Sequence, residues 1–244
     1  MALDLLRKKS FEIAFHGHAQ AILEVDFPQC VAEIESALAV LEIRIAEIIG
    51  SGGGEAKGTQ RLRHALDAKG WKKARFEIKK IINGVERESQ SHEIDHVRQI
   101  EGRGVVALEI EWNNKDPFFD RDLENFKRLH AEGAISAGII ITRGPSLQDA
   151  LLGLVERYAI ANNVASSADL IRLGLAPTSR QKRDYERRAQ GEKSFAQAWA
   201  ESFVADKFGA STTHWRKLDD RIRRGVGSPC PLLLIGLPAE IIRV

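Results

Sequence analysis

The chain has 244 residues, suited to one substantial α/β domain or one domain with an insertion, and its 43 % hydrophobic content excludes a disordered protein. Its 36 Lys and Arg against 34 Asp and Glu leave a net charge of only +2, so global charge announces no polyanionic partner and local charge must be inspected instead. Two cysteines, Cys30 and Cys230, are too few for a disulfide framework or a cysteine zinc site. No apolar run reaches the ~18 residues of a membrane span, and the N-terminus lacks a signal pattern, so the expected location is cytoplasmic and away from membranes.

Residues 10–15, SFEIAF, alternate and predict a short strand. From Pro28 to Gly50, apolar residues recur at i, i+3, i+4 and i+7, which predicts one amphipathic helix. SGGGEAKGT (51–59) reads as a flexible loop, and QRLRHALDAKG as a helix ending at Gly70. WKKARFEIKKIING predicts a strand with a turn at Asn83-Gly84. HEIDHVRQIEGRGVVALEIEW predicts a β-hairpin broken at EGRG, and a helix follows from about Arg121 to Glu132. SAGIIITRG is a continuous β-branched run bounded by glycines, the mark of a buried parallel strand. Residues 145 to about 208 read as mostly helical and carry the densest basic stretch, SRQKRDYERRAQGEK. TTHWRKLDDRIRR predicts a further helix and CPLLLIGL a second buried strand. The order predicts an α/β protein with a central mixed β-sheet flanked by helices.

The chemistry concentrates in the hairpin. If VVALEIEW is a strand, Glu109 and Glu111 share one face with Ala107, while Val106, Leu108, Ile110 and Trp112 share the other. With Asp95 on the neighbouring strand, three carboxyl groups converge near the strand end. That set suits a hard divalent cation such as Mg²⁺, and with it phosphodiester hydrolysis. Spacing alone equally allows a solvated hairpin face whose acids pair with arginines. Like charges on one face disfavour each other unless a cation or basic partner is present.

VALEIEW, the helix after it and AGIIITRG resemble the active-site strand, helix and next strand of type II restriction endonucleases of the BglII/BstYI group, in the PD-(D/E)xK nuclease superfamily. HAQAILEVDFPQCVAEIESAL, LRHALDAKGWKKARFEI and HWRKLDDRIRRGVGSPCPLLLIGL extend the resemblance over roughly residues 10–144 and 209–238. It implies a restriction-endonuclease-like core in a single endonuclease domain over 1–244. A helical insertion at about 145–208 has no counterpart in the relatives.

By this resemblance Asp95 and Glu109 are metal-binding catalytic acids, and the carbonyl of Ile110 completes the metal site. Glu111 takes the third motif position, where the group has Gln and many relatives Lys; a related restriction enzyme carries Glu there, linked to activation of the attacking water. The gap from Asp95 to Glu109 is about four residues longer than in close relatives, and the QIEGRG turn absorbs the difference as hairpin turns can.

The segment after the motif strand reads bases in this family. Asn113 and Asn114 would then face adenine and Lys115 guanine; as a plain sequence the segment is also a polar turn that caps the next helix. Ser211, Thr212, Thr213 and His214 occupy the family's second base-reading loop, or alternatively an N-cap. Glu33 and His18 match family positions in accessory roles: Glu33 near the metal or as a surface acid, His18 at a phosphate or as a helix cap. Lys57, Arg61 and Arg63 lie in a segment that reads as a groove-covering arm or an ordinary loop.

The resemblance implies a Mg²⁺-dependent enzyme, with Mn²⁺ as substitute, that cuts both strands of a short palindromic duplex containing GATC and leaves 5′-phosphates. It also implies a homodimer, by the symmetry of the site, and a cognate DNA methyltransferase as a genetic rather than physical partner in a restriction-modification system. Two rival readings remain: a repair or phage-defence nuclease acting on structured or modified DNA, and a non-catalytic DNA-binding protein whose acids only pack the hairpin.

Overall fold

The continuous apolar runs at 137–143 and 232–237 make the buried centre of the molecule, and the alternating segments flank them. The computed structural model describes residues 3–50, 55–190 and 193–244. Six strands form one mixed sheet: β1 (Glu12–His16), β3 (Lys72–Ile82), β4 (Val85–Ile100), β5 (Gly104–Glu111), β6 (Ala137–Arg143) and β7 (Leu232–Leu237). Their order is β1-β7-β6-β5-β4-β3. The central β5, β6 and β7 run parallel, and β1, β4 and β3 are antiparallel to their neighbours. Every residue of β6 and β7 is buried, as a parallel strand covered on both faces requires.

One face packs against α3 (Pro28–Ala39), α5 (Lys57–Asp67), α7 (Pro145–Ala161) and α10 (Phe195–Phe208). Val106, Leu108, Ile139, Ile141, Leu233 and Ile235 point into that core. The other face packs against α6 (Phe118–Ala131) and α11 (Trp215–Arg223), with Ala107, Ile140 and Leu234 against Phe119, Leu123, Phe126 and Leu218. Gly138 sets the approach of α6, because a Cβ at that position would run into the Phe126 ring. The remaining helices are α1 (Asp4–Lys8), α2 (Ala19–Val25), α4 (Ile45–Ile49), α8 (Ser167–Arg172) and α9 (Ser179–Arg188). Cys30 and Cys230 are free and buried. No described helix is long and apolar enough to cross a membrane.

Two sequence expectations need correction. The helix expected over 28–50 breaks after Ala39. Ile43–Arg44 forms a two-residue strand, β2, which pairs in parallel with β8 (Ile242–Arg243), and α4 follows. The apolar periodicity carries through the break because Leu41, Ile43, Ile45, Ile48 and Ile49 all enter the same core. What decides the conformation is a strand partner almost 200 residues away (43 against 242). In the loop expected at 51–59, residues 51–54 lie outside the described residues, and α5 begins at Lys57. The Asn83-Gly84 turn is as expected: both residues have positive φ, 51° and 79°, as a two-residue hairpin turn demands.

Candidate active site

The alternation of β5 places Glu109 and Glu111 on the α6 side of the sheet, with Ala107. Both are buried, at 4 % and 2 % exposure, so neither is a solvated hairpin acid. Asp95 comes from the next strand. Pairing shifts from Lys72↔Val97 to Ala74↔Ile94, so β4 carries one extra residue around Asp95 and His96. Such a bulge re-aims side chains locally. Here it brings the Asp95 N–H to Glu109 Oε1 at 3.4 Å. The Asp95 side chain stays largely exposed, 3.6 Å from Lys73 Nζ.

Asp95 stands between two clefts. One, of about 410 Å³, is lined by Asp95, Glu109, His92, Arg121 and Asn125. The other, of about 760 Å³, is lined by Asp95, His96, Ile110, Asn113 and Asn114, with Arg63 and Lys73. His96 is buried and neither ring nitrogen has a hydrogen-bond partner. Burial holds its pKa below the ordinary histidine value.

A fourth acid completes the group. Asp122 of α6 is 1 % exposed and faces Glu111. The cation beside it among the described residues is Arg121, with Nη2 2.7 Å from Asp122 Oδ1 and 3.7 Å from Glu111 Oε1. Asp122 Oδ2 is buried and has no donor. Burial, then the Asp122 and Asp95 carboxylates, push Glu109 up to about 9. Burial and Asp122 push Glu111 up to about 8, and burial raises Asp122 as well. Three buried carboxyls share one half-exposed guanidinium, so without a further cation they hold protons instead of charge. This all-oxygen donor set fits a hard divalent cation. Among the described residues no group of three or more His, Cys, Asp or Glu is placed to hold a metal ion, so the three converging ligands expected from the sequence are not assembled here. An open pair such as Asp95 and Glu109 is what Mg²⁺ accepts, since it keeps several waters and borrows oxygens from a phosphate.

The chain leaving β5 is stitched to the loop before α11. Thr213 N–H donates to Asn114 O at 2.8 Å, Asp116 N–H donates to Ser211 O at 3.0 Å, and Lys115 bridges Thr212. Asn113, Lys115 and Ser211 stay exposed. Asn114 is also exposed, but its amide donates to Glu111 Oε2 at 2.9 Å, so it orients the acid. Thr212, Thr213 and His214 are buried, contrary to a surface role in base reading. His214 begins α11 without a side-chain capping bond.

The reason for their burial is Arg143, at the end of β6. It is fully buried with no carboxylate beside it. Its guanidinium donates to Trp112 O (2.7 Å), Thr212 Oγ1 (2.7 Å), Thr213 O (2.6 Å) and Gln148 Oε1. One side chain thus clamps both loops, and burial lowers its pKa to about 9. Neither Arg143 nor Asp122 carries a sequence signal; only the packing of α6 and the meeting of the two loops reveals them.

Glu33 is fully engaged elsewhere. It accepts from Trp71 Nε1 (2.9 Å), Arg98 Nε (3.1 Å) and Nη2 (3.0 Å), and Gln29 Nε2 (2.8 Å), fastening α3 to β4. His18 enters α2 with φ 63° and makes no capping bond. Arg61 pairs with Glu47 and Arg63 with Glu55, so with Lys57 they sit on α5 rather than on an arm.

The family model for restriction endonuclease BglII/BglIII matches residues 11–237. No curated protein matches the chain.

Proposed function

The chain belongs to the restriction endonuclease BglII/BglIII family of DNA hydrolases, and from that premise we propose that it cuts both strands of a short palindromic DNA site with the acids of β4 and β5. The observation that carries this reading is the buried, under-compensated group Glu109–Glu111–Asp122 beside the exposed carboxylate of Asp95. Like charges are buried together at a stability cost when their field has a task. Enzymes of this family generally use divalent metal ions. Mg²⁺, with Mn²⁺ as substitute, would be held by Asp95, Glu109 and the carbonyl of Ile110. When bound, it supplies polarisation of the phosphoryl group and offsets charge on the leaving oxygen.

The chain's own residues do the rest. Glu111, oriented by Asn114 and facing Asp122, takes the proton of the attacking water. Asn113, Lys115 and Ser211, exposed on the stitched loops, face the base edges. The bond between phosphorus and the 3′ oxygen breaks, leaving 5′-phosphate and 3′-hydroxyl ends.

The BglII/BstYI resemblance implies GATC at the centre of the site, two-fold symmetry and hence a homodimer. It also implies a cytoplasmic role in restriction beside a cognate methyltransferase. The whole chain acts as one endonuclease domain, with 145–208 as a helical insertion. Digestion of plasmid DNA with Mg²⁺, followed by sequencing of the fragment ends, tests the reading. One palindrome at every 5′-phosphorylated end is expected. Heterogeneous ends at forks, nicks or modified bases would favour a repair or defence nuclease, and intact DNA in both Mg²⁺ and Mn²⁺ would remove catalysis altogether.

A further inference from the structure

The helical stretch 145–208 has no part in the chemistry above, yet it holds a basic helix with cations that lack an acidic neighbour. In ten residues α9 carries Arg180, Lys182, Arg183, Arg187 and Arg188 against Asp184 and Glu186, a net +3 where the whole chain carries +2. A solvated helix normally neutralises such a face with acids one turn away. The polar helix α11 does so, pairing Arg223 with Asp219 and Arg224 with Asp220. On α9, Asp184 is taken up by Arg187, Arg188 and the Ser202 hydroxyl. Arg180, Lys182 and Arg183 form no ion pair among the described residues. Arg180 and Arg183, one turn apart, line an open cleft of about 780 Å³ with Arg187 and Arg188, where four arginines outnumber the acids Asp184 and Asp206.

The position of this cleft gives the charge a direction. Gln181 of α9 donates to Asp206 near the end of α10. Asp206 lies three residues before Gly209, about 5 Å along a helix axis. Ala205 lines both the α9 cleft and the adjoining groove formed with Phe208, Gly209, Ala210 and His214. That loop is the one stitched to residues 114–116, and Phe208 stacks edge-on against Trp112 at the exit of β5. Through α10, the cleft of Arg180 and Arg183 therefore adjoins the loop that is stitched to the exit of β5.

We propose that α9 is a second DNA contact, in which Arg180 and Arg183 neutralise backbone phosphates flanking the cleaved site. The contact reads no bases. It adds affinity that depends on salt. This rests on the reading of the chain as a DNA endonuclease.

The test measures binding of the full chain to a random-sequence duplex three helical turns long, in Ca²⁺, by fluorescence anisotropy over a range of NaCl. Each phosphate contact adds about 0.9 to the slope of log affinity against log salt. The double variant Arg180→Ala/Arg183→Ala should lower the slope by about 1.8, so the wild-type advantage shrinks roughly twelvefold between about 50 and 200 mM salt. Its plasmid fragment pattern should match wild type. An unchanged slope overturns the proposal. So does an equal drop in the control Arg7→Ala/Lys8→Ala, which removes the same charge from α1. Wild-type protein that leaves plasmid DNA intact defeats the endonuclease reading, whereas cleavage with an unchanged slope defeats only the role of α9.

Discussion

Glu109 and Glu111 are carboxyls held where water does not reach, and their protonation sets how the metal-free protein responds to pH. Both have folded pKa values raised above the ordinary carboxyl range, Glu109 to about 9 and Glu111 to about 8. Between about pH 4.5 and those values the folded state holds protons that the unfolded chain has released, so stability falls as pH rises, by up to roughly 1.4 kcal/mol per unit for each fully shifted group. Below that window their stability contribution is fully present. Thermal unfolding in a chelator should therefore give a lower Tm at pH 8 than at pH 5. Glu109→Gln should raise the Tm at pH 8 by several degrees and have little effect at pH 5. A wild-type Tm that climbs from pH 5 to pH 8 would refute the charge deficit. Adding Mg²⁺ should restore stability more strongly at high pH, because binding must displace protons. The shared face of these two acids was legible in the sequence, since strand alternation alone puts residues 109 and 111 together. Asp122 was not, because it reaches them only through the close approach of α6 over Gly138.

At the scale of elements, single side chains fasten whole segments. Arg143 joins the exit of β5 to the loop before α11. Arg143→Met would leave the carbonyls of Trp112 and Thr213 and the Thr212 hydroxyl without their donor. We expect a loss of roughly 3–5 kcal/mol in urea unfolding, the usual cost of removing one member of a buried charged network; a loss near zero would mean that the loops hold each other unaided. Glu33 fastens α3 to β4 through Arg98 and Trp71. Glu33→Ala should cost about 2 kcal/mol of stability while leaving kcat near wild type at a temperature where the variant is folded. A large fall in kcat with unchanged stability would instead restore Glu33 to the metal site. The hairpin, α6 and the parallel strands were readable from periodicity and turn residues, because local pattern and tertiary role agree there. The break in the helix after Ala39 was not, because β2 exists only by pairing with β8. The bulge at Asp95 was equally hidden, because it appears only when β4 is laid against β3.

Across the whole molecule, the sheet gathers the functional parts at one place. The ends of the parallel strands β5 and β6 carry Glu111 and Arg143, and the two loops meet above them. Overall charge concealed this arrangement, because a total of +2 averages a buried acidic group and a basic helix to nearly nothing. A two-fold palindrome calls for two such surfaces, so sedimentation should show a dimer on duplex DNA; a monomer that cuts both strands would contradict the symmetric account. The central claim is that the buried acids of β5 carry out hydrolysis. Parallel plasmid digestions in Mg²⁺ with wild-type protein and Glu109→Ala test it most directly. The account predicts discrete fragments from wild type and intact DNA from a variant that remains folded. The same fragments from Glu109→Ala, at a comparable rate, would contradict it.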